Sequence, residues 1–385
     1  MAVAVKDLIQ TGQLPTRRGS LLPNPRPLAD APAVARLRAA GAIVVGKTAT
    51  SEYGWSASTA SRLAGPARNP WAPELSAGGS SGGSAVAVAA GLCDAALGTD
   101  GAGSIRIPAA FCGVVGYKPS FGRIPYVPPC ADRLAHLGPL ARSVADAAEL
   151  TRVLAGAHPD DPDSTIEPSV STREHTALRI GWIEFPGTSD DVRKVSEQVW
   201  PLLVAQGHTV DRVDVPFADP YAALVDLLAA GESAGTAPED EERCDPGRLE
   251  IVRHGRTVGG AAILRAEQVR LALRARLHSV MERYDLLAMA TIPIEPFAAD
   301  AIAPPWAADP ADLRWLAWTP ATYPFNLTGQ PAISLPAGLT SAGLPVGLQL
   351  VGTVGGDDLL LSAAGRIEAG LGLRLTPPDR DPKGG

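Results

Sequence analysis

Two glycine-rich loops place serine hydroxyls beside bare backbone N–H groups. The first, GGSSGGS, spans residues 78–84 and runs directly into an apolar segment. The second, GTDGAGS, spans residues 98–104 and ends at Ser104. A helix that starts just after such a loop directs its N-terminal N–H groups and the positive end of its dipole at whatever lies there. These two loops are therefore the first candidates for a reactive site.

Several familiar catalytic patterns are missing from the chain. None of the six histidines is spaced with a second histidine or a cysteine as a metal site requires. Neither glycine loop is followed by the GK[ST] of a phosphate-binding loop. Ser104 does not lie in a nucleophile elbow GxSxG, because its context is GAGSIRI. A Ser-His-Asp hydrolase would have to recruit a remote histidine, and no histidine is marked for that role by its neighbours.

Serine together with lysine remains as a catalytic pair. A serine hydroxyl is a weak nucleophile unless an adjacent base takes its proton, and a desolvated lysine can be that base. Lys47 lies in the apolar setting VVGKTAT at the end of an expected strand. Taken alone, such a lysine is more often one whose apolar stem is buried and whose ammonium reaches solvent. A GGSSGGS segment is likewise often a flexible linker, but a linker would not need the apolar run that follows it here.

The order of these motifs resembles the amidase signature family. The strongest matches are GKTATSE at 46–52, GGSSGGSAVAVAAG at 78–91 and GTDGAGSIRIPAAFCGVVGYKPSFGRIP at 98–125. Shorter matches are VAVKD at 3–7, GPLARSVADAA at 138–148 and PFNLTGQPAISLPAG at 324–338. Ser80 and Ser104 are 24 residues apart, which is the spacing that the family uses. Each short motif is weak alone, but together and in order they are specific.

The resemblance implies an amidohydrolase that cleaves a carboxamide C–N bond through a serine acyl-enzyme. Ser104 matches the nucleophile, Ser80 the cis-serine that relays protons, and Lys47 the base. The resemblance also implies a cis peptide between Gly79 and Ser80, and it requires neither a cofactor nor a metal. The backbone N–H groups that match the oxyanion hole are those of Gly101, Ala102, Gly103 and Ser104.

Other details of the second loop follow from the same resemblance. Ala102 stands where the family usually has glycine, so a left-handed backbone there would be strained. Asp100 and Arg106 flank the loop, and we expect them to form a supporting ion pair.

Two other functions remain open at this stage. The chain could be the catalytic subunit of a glutamine-dependent amidotransferase that works with a partner, or a non-catalytic binding or scaffold protein. As an enzyme it would act on a small-molecule amide whose identity the sequence does not give. Aromatic residues that could form the pocket walls are Tyr53, Trp55, Trp306, Trp315, Trp318 and Tyr323.

The fold that would position these residues is an α/β fold with a mixed central sheet covered by helices on both faces. We expect one domain over residues 1–385, with a catalytic part at 1–156, a linker-like segment at 157–177 and the substrate side at 178–385. From the resemblance we also expect the usual N-terminal helical segment of the family to be absent from this sequence. The pattern predicts strands at 2–5, 42–45, 178–182, 209–215, 286–290, 332–335 and 346–351, helices at 143–154, 191–206, 261–284 and 357–369, and a solvated loop at 238–243.

Composition limits the setting in which the protein works. The net charge is -7, so the electrostatic signature of a nucleic-acid-binding protein is absent. The four cysteines form no CxxC pair, which favours free thiols in a reducing compartment. No apolar run approaches the roughly 18 residues needed to cross a membrane. We therefore expect a cytoplasmic protein without nucleic-acid or membrane partners, for which a homodimer is a compatible assembly.

Overall fold

A mixed ten-stranded sheet forms the centre of the molecule. The computed structural model describes residues 1–24, 27, 29–165 and 177–378. Its strands are β1 Ala2–Lys6, β2 Ile43–Thr48, β3 Ala60–Ser61, β4 Gly65–Pro66, β5 Ala95–Asp100, β6 Val115–Lys118, β7 His136–Ala141, β8 Arg179–Ile183, β9 Thr209–Val213, β10 Leu286–Ala290, β11 Ala332–Leu339 and β12 Pro345–Val351. The order across the large sheet is β2-β1-β5-β7-β6-β11-β12-β10-β8-β9, while β3 and β4 form a separate pair.

Parallel and antiparallel pairs are combined within this sheet. Strand β1 lies parallel to both β2 and β5, and β8 lies parallel to both β9 and β10. The strands from β5 through β7, β6, β11 and β12 to β10 pair in antiparallel fashion. The predicted mixed sheet is therefore confirmed.

Helices cover both faces of the sheet, as expected. They are α1 Pro32–Ala39, α2 Gly82–Ala89, α3 Arg106–Cys112, α4 Val144–Leu154, α5 Asp190–Glu197, α6 Trp200–Ala205, α7 Tyr221–Ala234, α8 Pro246–Gly255, α9 Gly260–Met281, α10 Pro324–Leu327 and α11 Asp357–Leu371. Helices α1, α4, α5, α6 and α11 bury one face with residues such as Val34, Leu150 and Ile367. Helices α2 and α3 pack against the other face, where α7 to α9 add a second apolar cluster.

Strand β1 shows how the sheet divides side chains between these layers. Successive side chains of a strand point to opposite faces. Val3 and Val5 accordingly join the core beneath α1, whereas Ala4 packs with α2. Lys6 follows Ala4 in this alternation, so its side chain lies on the α2 face.

Several element boundaries differ from the sequence prediction for identifiable reasons. The helix expected at 191–206 is two helices, α5 and α6, and Pro201 occupies the first turn of the second, where its missing N–H costs nothing. The charge run at 238–243 is a 3₁₀ helix, Pro238–Arg243, instead of an irregular loop. Most of the predicted linker, residues 166–176, lies outside the described residues. None of the helices in the described ranges is long and apolar enough to cross a membrane.

Candidate active site

The end of strand β1 supplies a buried lysine to the first glycine-rich loop. The Lys6 Nζ lies 2.7 Å from the Ser80 Oγ and 2.9 Å from the Thr99 Oγ1. Both Lys6 and Ser80 are buried, with 0% and 1% of their surface exposed. The two residues belong to segments 74 positions apart in the chain, and the packing of α2 against β1 brings them together.

Burial changes the proton affinity of Lys6. It lowers the pKa of this lysine to about 7, because a charged ammonium loses its hydration in the protein interior, while the nearby Asp100 carboxylate acts in the opposite direction. Near neutral pH a large fraction of the Lys6 side chain is therefore neutral. A neutral amine 2.7 Å from a hydroxyl can accept its proton.

The predicted position of Lys47 at this site is wrong. Its Nζ donates to the Ile9 carbonyl at 2.5 Å and to the Thr16 hydroxyl at 2.9 Å, and lies 3.5 Å from a carboxylate oxygen of Asp7. Lys47 pairs with Val5 in the parallel β1–β2 register, so its side chain lies on the same face as Val5. Lys6 is one residue further along and points to the opposite face.

One feature of the sequence does indicate Lys6. Lys6 is part of the VAVKD match at 3–7, at the carboxyl end of an alternating apolar strand. Open α/β sheets place ligands at such strand ends, and β1 lies inside the sheet whereas β2 is its edge. Chain termini often fray, but pairing on both sides of β1 holds this segment in place.

The loop around Ser80 has no room for larger residues. The peptide between Gly79 and Ser80 is cis, as expected from the resemblance. A Cβ added to Gly79 would lie 2.3 Å from the Ser58 carbonyl carbon, and one at Gly83 would lie 2.5 Å from the Ala49 nitrogen. These glycines let the loop approach neighbouring backbone directly.

Two further serines hold this loop against the sheet. The Ser81 hydroxyl donates to the Thr99 carbonyl and accepts from the Thr99 N–H, and the Ser84 hydroxyl donates to the Leu97 carbonyl. These two hydroxyls are therefore structural. They tie the start of α2 to strand β5, from which the second glycine-rich loop emerges.

Asp100 organises that second loop from within. Its carboxylate accepts hydrogen bonds from the N–H groups of Gly103 at 2.7 Å and Ile105 at 3.2 Å. The Arg106 guanidinium donates to the same carboxylate at 2.9 Å, and both side chains are fully buried. Burial alone would raise the pKa of Asp100, but the Arg106 charge and hydrogen bonds hold that pKa well below its usual range. The predicted ion pair is confirmed.

Three of the four expected oxyanion-hole N–H groups are available to a ligand. Those of Gly101, Ala102 and Ser104 have no acceptor among the described residues. The Gly103 N–H donates to Asp100, so the geometry does not support its expected role. The left-handed position of the loop is taken by Gly103, with φ at 123°, and the strain considered for Ala102 does not arise.

Ser80, Ser104 and this loop face a shared cavity of about 370 Å³. Three of the aromatic residues proposed as pocket walls line it: Tyr53, Trp55 and Trp315. The other three do not. Trp306 is 49% exposed elsewhere, and Trp318 and Tyr323 are buried in the core. Helix α7 adds Leu228 and Glu232, and α8 adds Arg248, to a wall that the sequence pattern did not predict.

Histidine is not part of this cavity in the described chain. His136 is the histidine closest to the Asp100 end of β5, and its Nδ1 bonds to the Leu134 carbonyl at 2.7 Å. Its ring packs edge-on against Phe121. Ser80 and Ser104 line the cavity, and Lys6 contacts the Ser80 hydroxyl.

Comparison with known proteins gives matches over nearly the whole chain. A family model described as Amidase matches residues 1–361. The A subunit of the glutamyl-tRNA(Gln) amidotransferase of Roseiflexus castenholzii is 37% identical over 398 residues, which cover 93% of this chain and 80% of the relative.

Two solved structures have the same fold. The A subunit of the glutamyl-tRNA(Gln) amidotransferase of Thermotoga maritima matches with a TM-score of 0.85 and 31% identity over 99% of this chain and 86% of its own. A 6-aminohexanoate cyclic dimer hydrolase, solved with its substrate, matches with a TM-score of 0.86 and 30% identity over 98% of this chain and 86% of its own. The similarity that the motifs indicate therefore extends over nearly the whole chain.

Proposed function

Because the chain belongs to the amidase family, we propose that it cleaves an amide C–N bond with Ser104 as nucleophile, Ser80 as proton relay and Lys6 as base. The observation that carries this proposal is the 2.7 Å contact between the Lys6 Nζ and the Ser80 Oγ in a buried setting. The same cavity holds Ser104 and the free N–H groups of its loop. This assignment replaces Lys47 by Lys6.

The reaction begins with proton transfer away from Ser104. Neutral Lys6 accepts the proton of the Ser80 hydroxyl, and Ser80 accepts the proton of Ser104 as the Ser104 Oγ attacks the amide carbon. The carbonyl oxygen gains negative charge, which the N–H groups of Gly101, Ala102 and Ser104 stabilise. These donors belong to a loop that Asp100 already holds in place, so little reorganisation is needed when the charge develops.

The second half of the cycle returns the proton. The C–N bond breaks, the leaving nitrogen takes the proton back through Ser80, and an acyl-enzyme ester remains on Ser104. Water then attacks this ester with the same lysine and serine acting as base, and the carboxylic acid leaves. A base with a pKa of about 7 suits both halves, because it can accept and donate protons at neutral pH.

The acceptor of the released nitrogen distinguishes two versions of this function. Our first hypothesis from the sequence is a free-standing amidase, and the alternative is an amidotransferase subunit that passes ammonia to a partner. The Roseiflexus relative is the A subunit of an amidotransferase, which supports the alternative better. The hydrolase among the solved neighbours, at 30% identity, is the observation that keeps the free-standing amidase as a second candidate.

A serine-directed fluorophosphonate and a panel of amides test the proposal together. We expect the probe to label Ser104 and the purified chain to hydrolyse at least one of the glutamine, aliphatic, aromatic or aminoacyl amides. Absence of both labelling and hydrolysis in folded protein would refute the catalytic function and favour the scaffold alternative. Hydrolysis of glutamine that increases when a partner is present would identify the amidotransferase version.

A further inference from the structure

Arg18 is a cationic side chain of the cavity that has no ionic partner among the described residues. The charged residues that line it are Arg18, Asp132, Glu232 and Arg248. Arg248 is buried and fully engaged: its guanidinium donates to Glu232 at 2.7 Å and to the Thr236 hydroxyl at 2.7 Å. The Arg18 guanidinium makes neither a hydrogen bond nor an ion pair within the described ranges, and it lies 5.7 Å from the centre of the Tyr53 ring.

The backbone around Arg18 fixes this side chain beside the catalytic groups. The Arg18 N–H donates to the carbonyl of Asp7, the residue after Lys6, at 3.0 Å. The Arg18 carbonyl accepts from the Tyr53 N–H at 2.8 Å. The next residue, Gly54, is so close to the relay that an added Cβ would lie 3.2 Å from the Ser80 Oγ. Arg18 is thus held between two segments that each adjoin the proposed proton relay.

Arg18 and Tyr53, which share a backbone hydrogen bond, both have an uncommon backbone conformation. Arg18 has φ at 56° and Tyr53 has φ at 51°, in the left-handed region that side chains other than glycine, asparagine and aspartate seldom adopt. Gly19 also has a left-handed backbone, and it lies so close to the Thr50 carbonyl that an added Cβ would be 2.6 Å from that oxygen. Such conformations persist when the surroundings impose them, and they concentrate at ligand-binding sites.

We propose that Arg18 binds a carboxylate of the substrate, so that this protein acts on small amides that also bear a carboxylate. The proposal rests on the function proposed above and adds a substrate class to it. An unpaired guanidinium presents a planar set of donors that matches a carboxylate in two parallel hydrogen bonds. The placement of Arg18 next to the relay sets the carboxylate within one small molecule's length of the scissile carbonyl.

The acidic residues of the cavity leave this subsite intact. Glu232 is neutralised by Arg248 at 2.7 Å. Asp132 accepts a hydrogen bond from the Leu134 N–H at 2.9 Å and makes no ion pair with Arg18 in the described structure. Burial raises the pKa of Asp132, which weakens its negative charge at mildly acidic pH. Of the two arginines that line the cavity in the described chain, Arg248 is therefore paired with a carboxylate and Arg18 is not.

A matched pair of substrates and variants tests the inference. Glutaramate and pentanamide have similar chain lengths, and only glutaramate carries a carboxylate. Asparagine tolerates the left-handed backbone that this position has, so Arg18→Asn should fold. In this variant we expect the ratio of kcat/KM for glutaramate over pentanamide to fall about 10- to 100-fold. The neighbouring Arg17 is exposed and does not line the cavity, so Arg17→Asn should leave this ratio unchanged. An unchanged ratio in Arg18→Asn would overturn the inference, since a solvated surface arginine would behave in that way.

Two further experiments show which part of the substrate carries the carboxylate and test the carboxylate subsite separately from the catalytic function. N-acetyl amino acids place the carboxylate on the leaving amine and glutaramate places it on the acyl part, so the preferred class shows which side faces Arg18. Calorimetric titration of glutaramate into Ser104→Ala, with and without Arg18→Asn, measures binding without turnover. Binding that requires Arg18 but no hydrolysis by wild type would refute the catalytic function alone. Hydrolysis of pentanamide with no binding of glutaramate would refute the carboxylate subsite alone.

Discussion

Lys6 combines complete burial with contacts to two hydroxyls, and its proposed role as a base rests on this combination. In water a lysine is protonated at neutral pH and cannot accept a proton. Burial removes the hydration that favours the ammonium form and brings the pKa to about 7. Lys47, one strand away, forms an ion pair with Asp7, which counteracts the lowering of the Lys47 pKa by burial.

Replacing each lysine by methionine separates these two roles. Lys6→Met should reduce amide turnover by about 10³-fold or more, because it removes the base that activates the nucleophile. Lys47→Met should retain turnover and lower the free energy of unfolding by about 1–3 kcal/mol, because Asp7 and the Ile9 carbonyl lose a partner. Steady-state kinetics and denaturant unfolding of both variants test this. The reverse pattern of activity would restore Lys47 as the base.

The dependence of activity on pH follows from the same lysine. Lys6 must be neutral to accept a proton, so kcat/KM should rise with pH through a midpoint near 7 and level off above it. A pH–rate profile measured between about pH 5 and 9 tests this expectation. A profile that is flat across this range would contradict a lysine base with a lowered pKa.

Removal of the nucleophile itself should leave the fold intact. Ser104→Ala exchanges one small side chain for another in a loop whose shape is set by backbone bonds to Asp100. Turnover should fall to background while the thermal unfolding midpoint stays close to that of wild type. Activity like that of wild type in a folded variant would remove Ser104 from the mechanism.

At the scale of elements, the Asp100–Arg106 pair joins strand β5 to helix α3 and to distant parts of the chain. The Arg106 guanidinium also donates to the side chains of Asn326 at 2.7 Å and Gln349 at 2.8 Å. Arg106→Met would leave the Asp100 carboxylate buried without its cation, and we expect a loss of about 3–5 kcal/mol in unfolding free energy. Denaturant unfolding measures it, and Arg152→Met in the exposed pair with Glu149 is the control. A change in Arg106→Met no larger than in the control would contradict this account.

Close packing of the Ser80 loop gives a second prediction at this scale. Gly79→Ala would place a methyl group 2.3 Å from the backbone of Ser58, which cannot move as a flexible side chain could. We expect little folded, active protein from this variant. Gly260→Ala, at the start of α9 where nothing lies within 4 Å, should express and unfold like wild type. Normal activity in Gly79→Ala would show that the loop is looser than described.

The sequence predicts seven of the ten strands of the large sheet but not β5, β6 and β7, and the strand pattern alone does not choose between Lys6 and Lys47. Both lysines end alternating or apolar runs, and both precede polar loops. Which one faces Ser80 depends on the strand order β2-β1-β5 and on a register in which Val5, not Lys6, pairs with Lys47. Strand order and register are tertiary properties, and a shift by one residue moves a side chain to the opposite face.

At the scale of the whole molecule, the cavity is assembled from parts of the chain that the motifs do not cover. Leu228, Glu232 and Arg248 reach it from α7 and α8, neither of which the sequence pattern predicted. These residues lie between the motif matches that end at residue 148 and the match that begins at residue 324. The two serine-bearing loops could therefore be inferred from the sequence better than the walls of the cavity.

The amidotransferase hypothesis also makes a prediction at this scale. If the chain works with a partner, affinity purification from its native cells should recover a second protein in constant ratio. Glutamine hydrolysis should then be faster in the complex than in the isolated chain. A chain that purifies alone and hydrolyses amides at full rate would support the free-standing amidase instead.

The most direct test of the central claim is the rate at which a fluorophosphonate labels each serine, mapped by mass spectrometry in wild type, Lys6→Met and Lys47→Met. Labelling reports activation of the nucleophile without requiring the natural substrate. We predict a single adduct on Ser104, a labelling rate that rises with pH through about 7, loss of labelling in Lys6→Met and its retention in Lys47→Met. An adduct on another residue, or equal labelling of wild type and Lys6→Met, would contradict the assignment of Ser104, Ser80 and Lys6 as the catalytic groups.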